Sequence, residues 1–368
     1  MNNRKCLFID QYAGVAGGQV IFLNLLSSAL DAGLPVTAAF PHGGELERRV
    51  KNQFGDRLRS IAIPEPKLTR GNKTWIDKLK YMLFSLYFIK LLPLMRQHDL
   101  IYVNGPRYYF PAWMASWFIR KQFVYHIHLD HNVAEKRLIR RIAHSAKTHA
   151  LIANSSFIYE RLLSFDRRLA RNKKLMMIEN SLPPLLSNLP FCNRFGQTSR
   201  YHIAIIGRIS QGKGQDIVVQ LAPYFPACTF FLIGESEEPF TANLRSRIPA
   251  NVFIRPATED FIGTINTLPV HYSLVPSRIP ESFGMVAIES MAASCITIVS
   301  GAGELKNIAE RTSCFVYDSL ESLTQLLHDL FQKSSEQLEQ IAREQYTKTK
   351  QHYGFEAFQN QIAAVLAS

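Results

Sequence analysis

The hydrophobic residues of this chain fall into short apolar runs, separated by segments in which apolar residues recur at helical spacing. Short continuous apolar runs are typical of parallel strands that are covered on both faces of their sheet. Such runs predict strands at residues 5–9, 36–40, 61–63, 100–103, 123–127 and 150–153 in the first half, and at 203–206, 229–233, 252–254, 271–275 and 297–300 in the second. The alternation of strands and helices predicts a doubly wound α/β fold with parallel sheets.

Segments with helical spacing lie between these strands. They predict helices at residues 20–32, 44–53, 75–97, 132–145 and 216–224, and a helical tail over residues 336–367. Residues 183–200 have little periodicity and are predicted to link two halves. Because 368 residues make about two domains, we expect an N-terminal domain over residues 1–185, a C-terminal domain over 186–345 and a final segment over 346–368.

The composition is that of an ordinary soluble globular protein, with 47% hydrophobic and 20% charged residues. The five cysteines have no C-x-x-C spacing, which favours reduced thiols in a cytoplasm and argues against zinc. The longest apolar stretch, residues 81–95, contains Lys90 and Pro93 and is shorter than the roughly 18–20 residues that span a bilayer. Because the chain enters its first predicted strand at once, no signal peptide is expected.

Charge is divided unevenly between the two halves. Residues 1–185 contain 28 Lys and Arg against 13 Asp and Glu, or +15, while residues 186–368 contain 14 against 17, or −3; the sum is the net charge of +12. Two segments of the basic half, residues 75–95 and 108–121, combine all three tryptophans with cations such as Lys78, Lys80 and Lys90. This combination predicts peripheral docking on an anionic membrane surface.

A different interpretation of these two segments is that they pack on the N-terminal sheet with their lysines in water. Nucleic acid is not an expected partner, because no nucleic-acid-binding motif accompanies the basic half.

Two glutamates, Glu281 and Glu289, stand eight positions apart where a polar loop runs into a predicted helix. Carboxylates so placed could hold two hydroxyl-bearing parts of one ligand. Between them, the backbone N–H groups at a helix start suit an anion, since they are unpaired and carry partial positive charge. The residues of this start are Ser282, Phe283, Gly284 and Met285. A sugar, a diphosphate and a ribose in that order describe a nucleotide-sugar.

Upstream, the predicted strand at residues 203–206 leads into a glycine-bearing basic loop that contains Gly207, Arg208 and Lys213. A strand, a basic loop and a helix make a natural phosphate site, to which the two side chains add full charges. The loop matches neither the P-loop nor the dinucleotide-binding glycine pattern. We expect it to bind the phosphates of the same ligand.

The paired motifs resemble those of glycosyltransferase family four, the retaining enzymes of the GT-B fold. The resemblance extends along the chain to Gly17-Gly18 in a loop before the first helix, to Asn154-Ser155 after a strand, and to Asn180 before the linker. Ser181 and Arg255-Pro256 depart from the family pattern, which has glycine at these places. The resemblance implies two Rossmann-like domains facing a central cleft, with a final helix that returns to the N-terminal domain.

The resemblance also implies roles for individual residues. Arg208 and Lys213 would stabilise the departing diphosphate, Glu281 would hold hydroxyls of the donor sugar, and Glu289 would hold the ribose. Gly17 and Gly18 would approach the phosphates. His128, at the carboxyl end of a predicted strand, would face the donor sugar; His126 is a weaker candidate, and Asn104-Gly105 a further one for lining the cleft.

These residues predict a metal-independent retaining hexosyltransferase that uses a nucleotide-sugar donor and no cofactor. A D-x-D triplet, typical of the metal-dependent GT-A fold, is absent from the sequence. The expected acceptor is a hydroxyl of a glycan or lipid-linked precursor of lipopolysaccharide, capsule or exopolysaccharide, at the inner face of the cytoplasmic membrane. The alternatives are a soluble transferase for a small acceptor, a nucleotide-sugar epimerase, and a non-catalytic sensing or scaffolding protein.

Overall fold

The computed structural model describes residues 4–65, 75–196, 200–258 and 260–368, with the backbone alone for residues 76–78 and 88. The chain forms two compact units. The N-terminal unit comprises the described residues of Met1–Ser181 together with Phe355–Ser368, and the C-terminal unit comprises those of Leu182–Gly354.

Each unit contains one parallel sheet, so the prediction of a doubly wound α/β fold is confirmed. The strands of the N-terminal unit are β1 (Cys6–Ile9), β2 (Val36–Phe40), β3 (Arg59–Ala62), β4 (Leu100–Val103), β5 (Gln122–Ile127), β6 (Thr148–Ala153) and β7 (Leu175–Met177), in the order β3-β2-β1-β4-β5-β6-β7. Those of the C-terminal unit are β8 (His202–Ile206), β9 (Thr229–Ile233), β10 (Val252–Arg255), β11 (Tyr272–Val275), β12 (Ile296–Val299) and β13 (Phe315–Val316), in the order β10-β9-β8-β11-β12-β13.

The helices of the described residues cover the faces of these sheets. They are α1 (Gly17–Asp31), α2 (Glu45–Phe54), α3 (Trp75–Ser85), α4 (Phe88–Arg96), α5 (Tyr109–Ala115), α6 (Val133–His144), α7 (Ser156–Phe165), α8 (Pro184–Ser187), α9 (Val218–Leu221), α10 (Phe240–Arg245), α11 (Phe261–Thr267), α12 (Met285–Ala292), α13 (Glu304–Thr312), α14 (Leu320–Phe331), α15 (Ser335–Tyr353) and α16 (Phe355–Ala367).

All eleven predicted strands are present, and the inner strands are apolar runs buried between helices. The sequence pattern missed β7 and β13, which are edge strands with exposed apolar residues at Met176, Met177 and Val316. Such short edge strands bury few side chains, so they leave a weak signal in the sequence, whereas the edge strands β3 and β10 were predicted from the apolar residues at 61–63 and 252–254.

Three helix predictions need correction. The helix predicted at residues 75–97 is two helices, because Leu86 and Tyr87 donate to the carbonyls of Leu83 and Phe84 in tighter i→i−3 bonds at 3.1 and 2.8 Å. The helix predicted at 216–224 is only the short α9, flanked by single turns. The helical tail is interrupted at Gly354, between α15 and α16.

The final helix packs within the N-terminal unit. α16 contacts α1, and Gln359 donates to Asp31 at 3.0 Å. Arg4 donates to the carbonyl of Leu366 at 3.1 Å, and His149 is 3.0 Å from the carbonyl of Val365.

The segment predicted as a linker begins within the C-terminal unit. Leu182, Leu186 and Phe195 are buried in the cores of that unit. Residues 197–199, which also fall in the predicted linker, lie outside the described residues.

Candidate functional site

Two loops of the C-terminal unit meet at one edge of its sheet. The basic loop, residues 207–214, follows β8, and the acidic loop, residues 276–284, follows β11. Because β8 and β11 are parallel neighbours, their carboxyl ends lie side by side. That edge is where open α/β sheets bind ligands.

A salt bridge joins the two loops. Nζ of Lys213 lies 2.5 Å from Oε1 of Glu281, and the hydroxyl of Ser277 donates to the same carboxylate oxygen. The Glu281 side chain is only 15% exposed and that of Lys213 is 34% exposed. The sequence put these two residues sixty-eight positions apart in separate motifs, and the fold brings them into contact.

The backbone of the basic loop is fixed to the acidic loop as well. The N–H of Arg278 donates to the carbonyl of Gly212 at 2.9 Å, and its guanidinium makes two bonds to the carboxylate of Asp216 at 2.7 and 3.0 Å. Gly214 has φ +71°, and a Cβ on it would lie 2.1 Å from the carbonyl oxygen of Pro276. Only glycine permits this close approach of the two loops.

The side chain of Gln215 fixes the backbone of the basic loop, and the sequence analysis did not identify this residue. It is 1% exposed. Its amide nitrogen donates to the carbonyls of Arg208 at 2.7 Å and Gly207 at 3.5 Å, and its amide oxygen accepts from the N–H of Ser210 at 3.2 Å. A glutamine after a glycine carries no distinctive sequence signal, so only the fold identifies this role.

The start of α12 leaves backbone donors unpaired. Gly284 precedes the helix with φ +113°, and within the described ranges the N–H groups of Phe283, Gly284 and Met285 have no backbone acceptor. The side chain of Phe283 is buried in the core. Three successive unpaired donors at a helix start can bind an anion.

The remaining predicted residues of this unit lie around the same edge. Arg208 is exposed in the basic loop and makes no salt bridge with a described residue. Gly207 begins that loop, where its N–H donates to the carbonyl of Ile233 at 2.9 Å. Ser282 lies in the acidic loop. Glu289, on the second turn of α12, is half-buried, in agreement with the predicted loop-then-helix placement of the two glutamates.

A second polar group lies in the N-terminal unit, at the carboxyl ends of β1, β4 and β5. Asp10 is fully buried, and its Oδ2 accepts from Nδ2 of Asn104 at 2.6 Å. Oδ1 of Asn104 is 2.8 Å from Nε2 of His128. Gln19 donates to the other Asp10 oxygen at 2.9 Å. Asp10 was not among the sequence candidates, although its place at the end of the first strand could have indicated it.

This network fixes the protonation of His128. Because Nδ2 of Asn104 faces the carboxylate of Asp10 and the carbonyl of Gly18 (3.1 Å), its Oδ1 faces the histidine, whose Nε2 must carry the proton. The other ring nitrogen, Nδ1, is buried and has no partner among the described residues. Burial and the neighbouring His131 lower the pKa of His128 to about 3. The neutral ring therefore presents a hydrogen-bond acceptor.

His126 has a structural environment. It is fully buried, its Nδ1 lies 2.9 Å from the hydroxyl of Tyr102, and its backbone carbonyl accepts from Tyr109. Burial lowers its pKa well below the usual value, and its ring centroid lies 4.0 Å from that of His128. His126 thus packs behind His128.

Gly17 and Gly18 occupy a different setting from the predicted loop. They form the first turn of α1, which begins at Gly17 after Ala16. Their N–H groups have no backbone acceptor in the part of the chain that the structure describes, and the carbonyl of Gly18 accepts from Asn104. The two glycines were predicted to lie in a loop before a helix beginning at residue 20. Ala16 is extended and precedes the helix directly, so α1 begins three residues earlier than predicted.

Within residues 4–65, 75–196, 200–258 and 260–368, no group of three or more His, Cys, Asp or Glu side chains is placed to hold a metal ion. All five cysteines are free thiols. Among the helices of the same ranges, none is long and apolar enough to span a bilayer.

Residues 195–348 match the family model described as "Glycosyl transferases group 1". No curated protein sequence matches the chain.

Three solved structures illustrate the structural similarity. HepE from Anabaena, solved with UDP and glucose, is similar with a TM-score of 0.81 and 18% identity over 99% of this chain and 100% of that one. Sucrose-phosphate synthase from Thermosynechococcus elongatus has a TM-score of 0.76 and 16% identity over 98% of both chains. The trehalose-6-phosphate synthase OtsA has a TM-score of 0.75 and 12% identity over 99% of both. The fold is that of the GT-B glycosyltransferases, and the matched segment, which covers most of the C-terminal unit, supports a glycosyltransferase.

Proposed function

We propose that this protein is a retaining glycosyltransferase of the family-four type, which moves a hexose from a nucleotide-sugar to a hydroxyl acceptor. The observation that carries the proposal is the meeting of the basic and acidic loops at Lys213 and Glu281, 2.5 Å apart, beside the unpaired N–H groups at the start of α12. Cations, helix-start donors and a carboxylate at one sheet edge are the groups that bind a sugar diphosphate.

The basic loop would act on the leaving group. As the bond between the sugar and the diphosphate breaks, negative charge grows on the phosphate oxygens, and Arg208 and Lys213 would stabilise it. Arg208 is exposed and available for this role. Lys213 is held by Glu281, whose carboxylate also accepts a hydrogen bond from Ser277, so the ammonium is already positioned when the donor arrives.

The donor's hydroxyl groups would be held by carboxylates and by backbone. Glu281 would bind hydroxyls of the transferred sugar and Glu289 those of the ribose, with the N–H groups of residues 282–285 at the diphosphate. Gly17 and Gly18 would offer their unpaired N–H groups to the phosphates, and Nδ1 of His128 would accept a hydrogen bond from a sugar hydroxyl. These assignments follow from the chemistry of each group and from the resemblance described above.

Retention is proposed without an enzymic nucleophile and without a metal ion. The acceptor hydroxyl would attack on the face from which the diphosphate departs and pass its proton to a departing phosphate oxygen. The cationic groups would take the place that a divalent cation has in other transferases, so no cofactor is required.

The proposed acceptor is a glycan or a lipid-linked precursor of a cell-surface polysaccharide such as lipopolysaccharide, capsule or exopolysaccharide. The basis is the net charge of +15 over residues 1–185 and the aromatic, basic segments of the N-terminal unit. We propose that the protein acts peripherally on the anionic inner face of a cytoplasmic membrane.

The second candidate is a transferase for a small soluble acceptor. The structural similarity to sucrose-phosphate synthase and trehalose-6-phosphate synthase favours it. An epimerase would consume the donor without any acceptor, which separates it from both transferases.

The test is a donor panel followed by product analysis. Binding of UDP-, GDP- and dTDP-sugars would be measured by calorimetry, beginning with UDP-glucose, and turnover would be followed with membrane extracts, simple sugars or no acceptor. Transfer with retained anomeric configuration in the presence of EDTA supports the proposal. Donor consumption without acceptor, or an absolute metal requirement, contradicts it.

A further inference from the structure

The N-terminal unit exposes an unusual apolar face along α3 and α4. Six large hydrophobic side chains lie in water within fifteen residues: Trp75, Leu79, Met82, Leu83, Leu86 and Ile89, which are between 41% and 73% exposed. With Trp117 and Phe118 they make eight of the seventeen exposed large hydrophobic side chains among the described residues. A contiguous exposed apolar patch of this kind marks an interaction surface.

Part of the predicted aromatic segment 108–121 is core. Tyr108, Tyr109 and Ala112 are buried, so for them the packing interpretation holds. Only its end remains outside, with Trp117 at 60% and Phe118 at 57% exposure. The side chain of Lys78, counted among the cations of the first segment, lies outside the described residues.

An open cleft of about 380 Å³ lies beside this exposed end. It is lined by Trp113, Trp117, Arg140, Arg141, His144 and Ser145. The two indoles meet edge to face with centroids 4.6 Å apart. The cleft thus combines aromatic walls with two arginines and contains no carboxylate among its lining residues.

The two arginines of the cleft are engaged little by acidic side chains, so their guanidinium groups can bind an anionic ligand. Arg141 is exposed and makes no salt bridge with a described residue. Arg140 lies 4.0 Å from Asp166, a carboxylate that Arg168 already binds through two bonds at 3.0 Å. Guanidinium groups placed in this way suit a phosphate, which accepts two parallel bonds from one arginine.

A row of rings connects the cleft with the apolar helix. Tyr81 of α3 lies 6.4 Å from Phe110, Phe110 lies 6.0 Å from Trp113, and Trp113 packs on Trp117. The hydroxyl of Tyr81 also donates to the carbonyl of Arg107 at 3.3 Å. The exposed apolar face and the cleft with its two arginines are therefore connected through packed aromatic rings and form one surface.

The cleft is separate from the polar network around His128. α5 and α6 begin near the carboxyl ends of β4 and β5, where Asn104 and His128 lie, and the cleft is formed beyond the end of α5 and at the end of α6. In parallel α/β units the end of such a helix lies toward the opposite edge of the sheet. A ligand bound in the cleft therefore does not block access to Asn104 and His128.

The structure assigns this surface to an anionic bilayer. We infer that the cleft receives the phosphate of an anionic phospholipid headgroup, while Trp117, Phe118 and the exposed face of α3 lie in the interfacial layer. Charge complementarity selects this partner: residues 75–120 contain six Lys or Arg and two Asp. Tryptophan and phenylalanine at the edge of a basic patch favour the headgroup region. The inference deepens the membrane association in the proposed function and rests on it.

The test is co-flotation of the full chain with vesicles of phosphatidylcholine alone or with phosphatidylglycerol. We expect binding to require phosphatidylglycerol. Arg140→Gln with Arg141→Gln should lower the partition coefficient on the order of tenfold, since each juxtamembrane cation adds to the attraction. Lys51→Gln with Arg57→Gln, which removes two exposed charges near α2, is the matched control and should change it far less.

An apolar variant separates insertion from attraction. Met82→Ser with Leu83→Ser should weaken binding to the phosphatidylglycerol vesicles, and since both side chains are exposed the fold should persist by circular dichroism. Equal losses of vesicle binding in the cleft variant and in the Lys51/Arg57 control, or unchanged binding in the cleft variant, would overturn the inference. Binding of inorganic phosphate that the cleft variant loses, together with vesicle binding that saturating phosphate leaves unchanged, would assign the cleft to a soluble phosphate instead and would also overturn it.

Donor binding is measured in parallel. If the unmodified protein binds UDP-glucose but not the phosphatidylglycerol vesicles, the membrane inference fails and the transferase stands. If the unmodified protein binds vesicles but no nucleotide-sugar of the panel, the proposed transferase fails while the docking surface remains.

Discussion

His128 and Asn104 form a directed pair in which Nε2 of the histidine donates to the amide oxygen at 2.8 Å. The direction is set by Asp10, which accepts the amide N–H at 2.6 Å. Asp10 is linked to His128 through Asn104, and it decides which nitrogen of the histidine can accept a hydrogen bond. The hydrogen-bond chain from Asp10 through Asn104 thus holds the buried, neutral ring of His128 in one orientation.

The first prediction concerns Asn104. Asn104→Leu leaves the carboxylate of Asp10 and the Nε2 proton of His128 without their partner, so unfolding should become easier by about 2–4 kcal/mol. Nitrogen-15 NMR of labelled histidine should show the unmodified His128 as the Nε2–H tautomer and the variant as a mixture. An unmodified protein with the proton on Nδ1 would contradict the assigned direction.

The second prediction concerns acid stability. The pKa of His128 is lowered to about 3 in the folded state, so its contribution is complete above the unfolded value near 6.5 and is lost as the pH falls toward 3. Between pH 7 and pH 5 the unfolded chain gains a proton there that the folded chain does not, which should lower the free energy of unfolding by about 2 kcal/mol.

Urea denaturation at the two pH values checks this expectation, with His128→Gln as the comparison. The variant should lose less stability on acidification, because it lacks the titrating ring. The pKa of Asp10 is raised by burial and has the opposite sign, but Asp10 is present in both proteins. An identical pH dependence in the two would contradict the prediction.

The third prediction concerns the salt bridge between the loops. Lys213→Ala should lower kcat by roughly 10²–10³-fold, because a cation aimed at developing charge contributes about 3–4 kcal/mol to the transition state. Glu281→Ala should also abolish measurable turnover. Thermal stability should change little for Lys213→Ala, since the Lys213 side chain is 34% exposed, and somewhat more for Glu281→Ala, since that of Glu281 is 15% exposed. Steady-state kinetics and a melting curve test both, with Lys333→Ala as a control; full activity in either site variant would refute the assigned roles.

The fourth prediction concerns the close approach at Gly214. Gly214→Ala would place a methyl group 2.1 Å from a backbone oxygen of the acidic loop at φ +71°, so the loops must separate. We expect a loss of about 2 kcal/mol or more in stability and weaker donor binding. Gly212→Ala meets only the flexible end of Ile279 at 3.2 Å and should be milder. Equal effects of the two substitutions on urea midpoints would argue against the clash.

The fifth prediction concerns Gln215. Gln215→Leu removes the bonds to the carbonyls of Arg208 and Gly207 and should loosen the basic loop. We expect donor affinity to fall about tenfold by calorimetry, with the KM for acceptor unchanged, because the side chain is buried beneath the loop. A change confined to the acceptor KM would show that Gln215 serves another role.

The sequence alone determined the fold class and named candidate residues for the site. Buried parallel strands are continuous apolar runs, so β1 and β8 could be read directly, and Lys213 and Glu281 stood out because a charged residue beside glycine or in a polar loop is a local signal. The short edge strands β7 and β13 carry a weaker pattern, because their side chains are more exposed than those of the inner strands.

Only the tertiary structure decided which of these groups meet. The salt bridge between Lys213 and Glu281, the support of the basic loop by Gln215, and the path from Asp10 to His128 join residues that are distant in sequence or carry no local pattern. Periodicity reports whether a position is buried, but a hydrogen bond depends on which strands lie side by side. Strand order is a property of the whole packed sheet, so these partners appear only when the chain has folded.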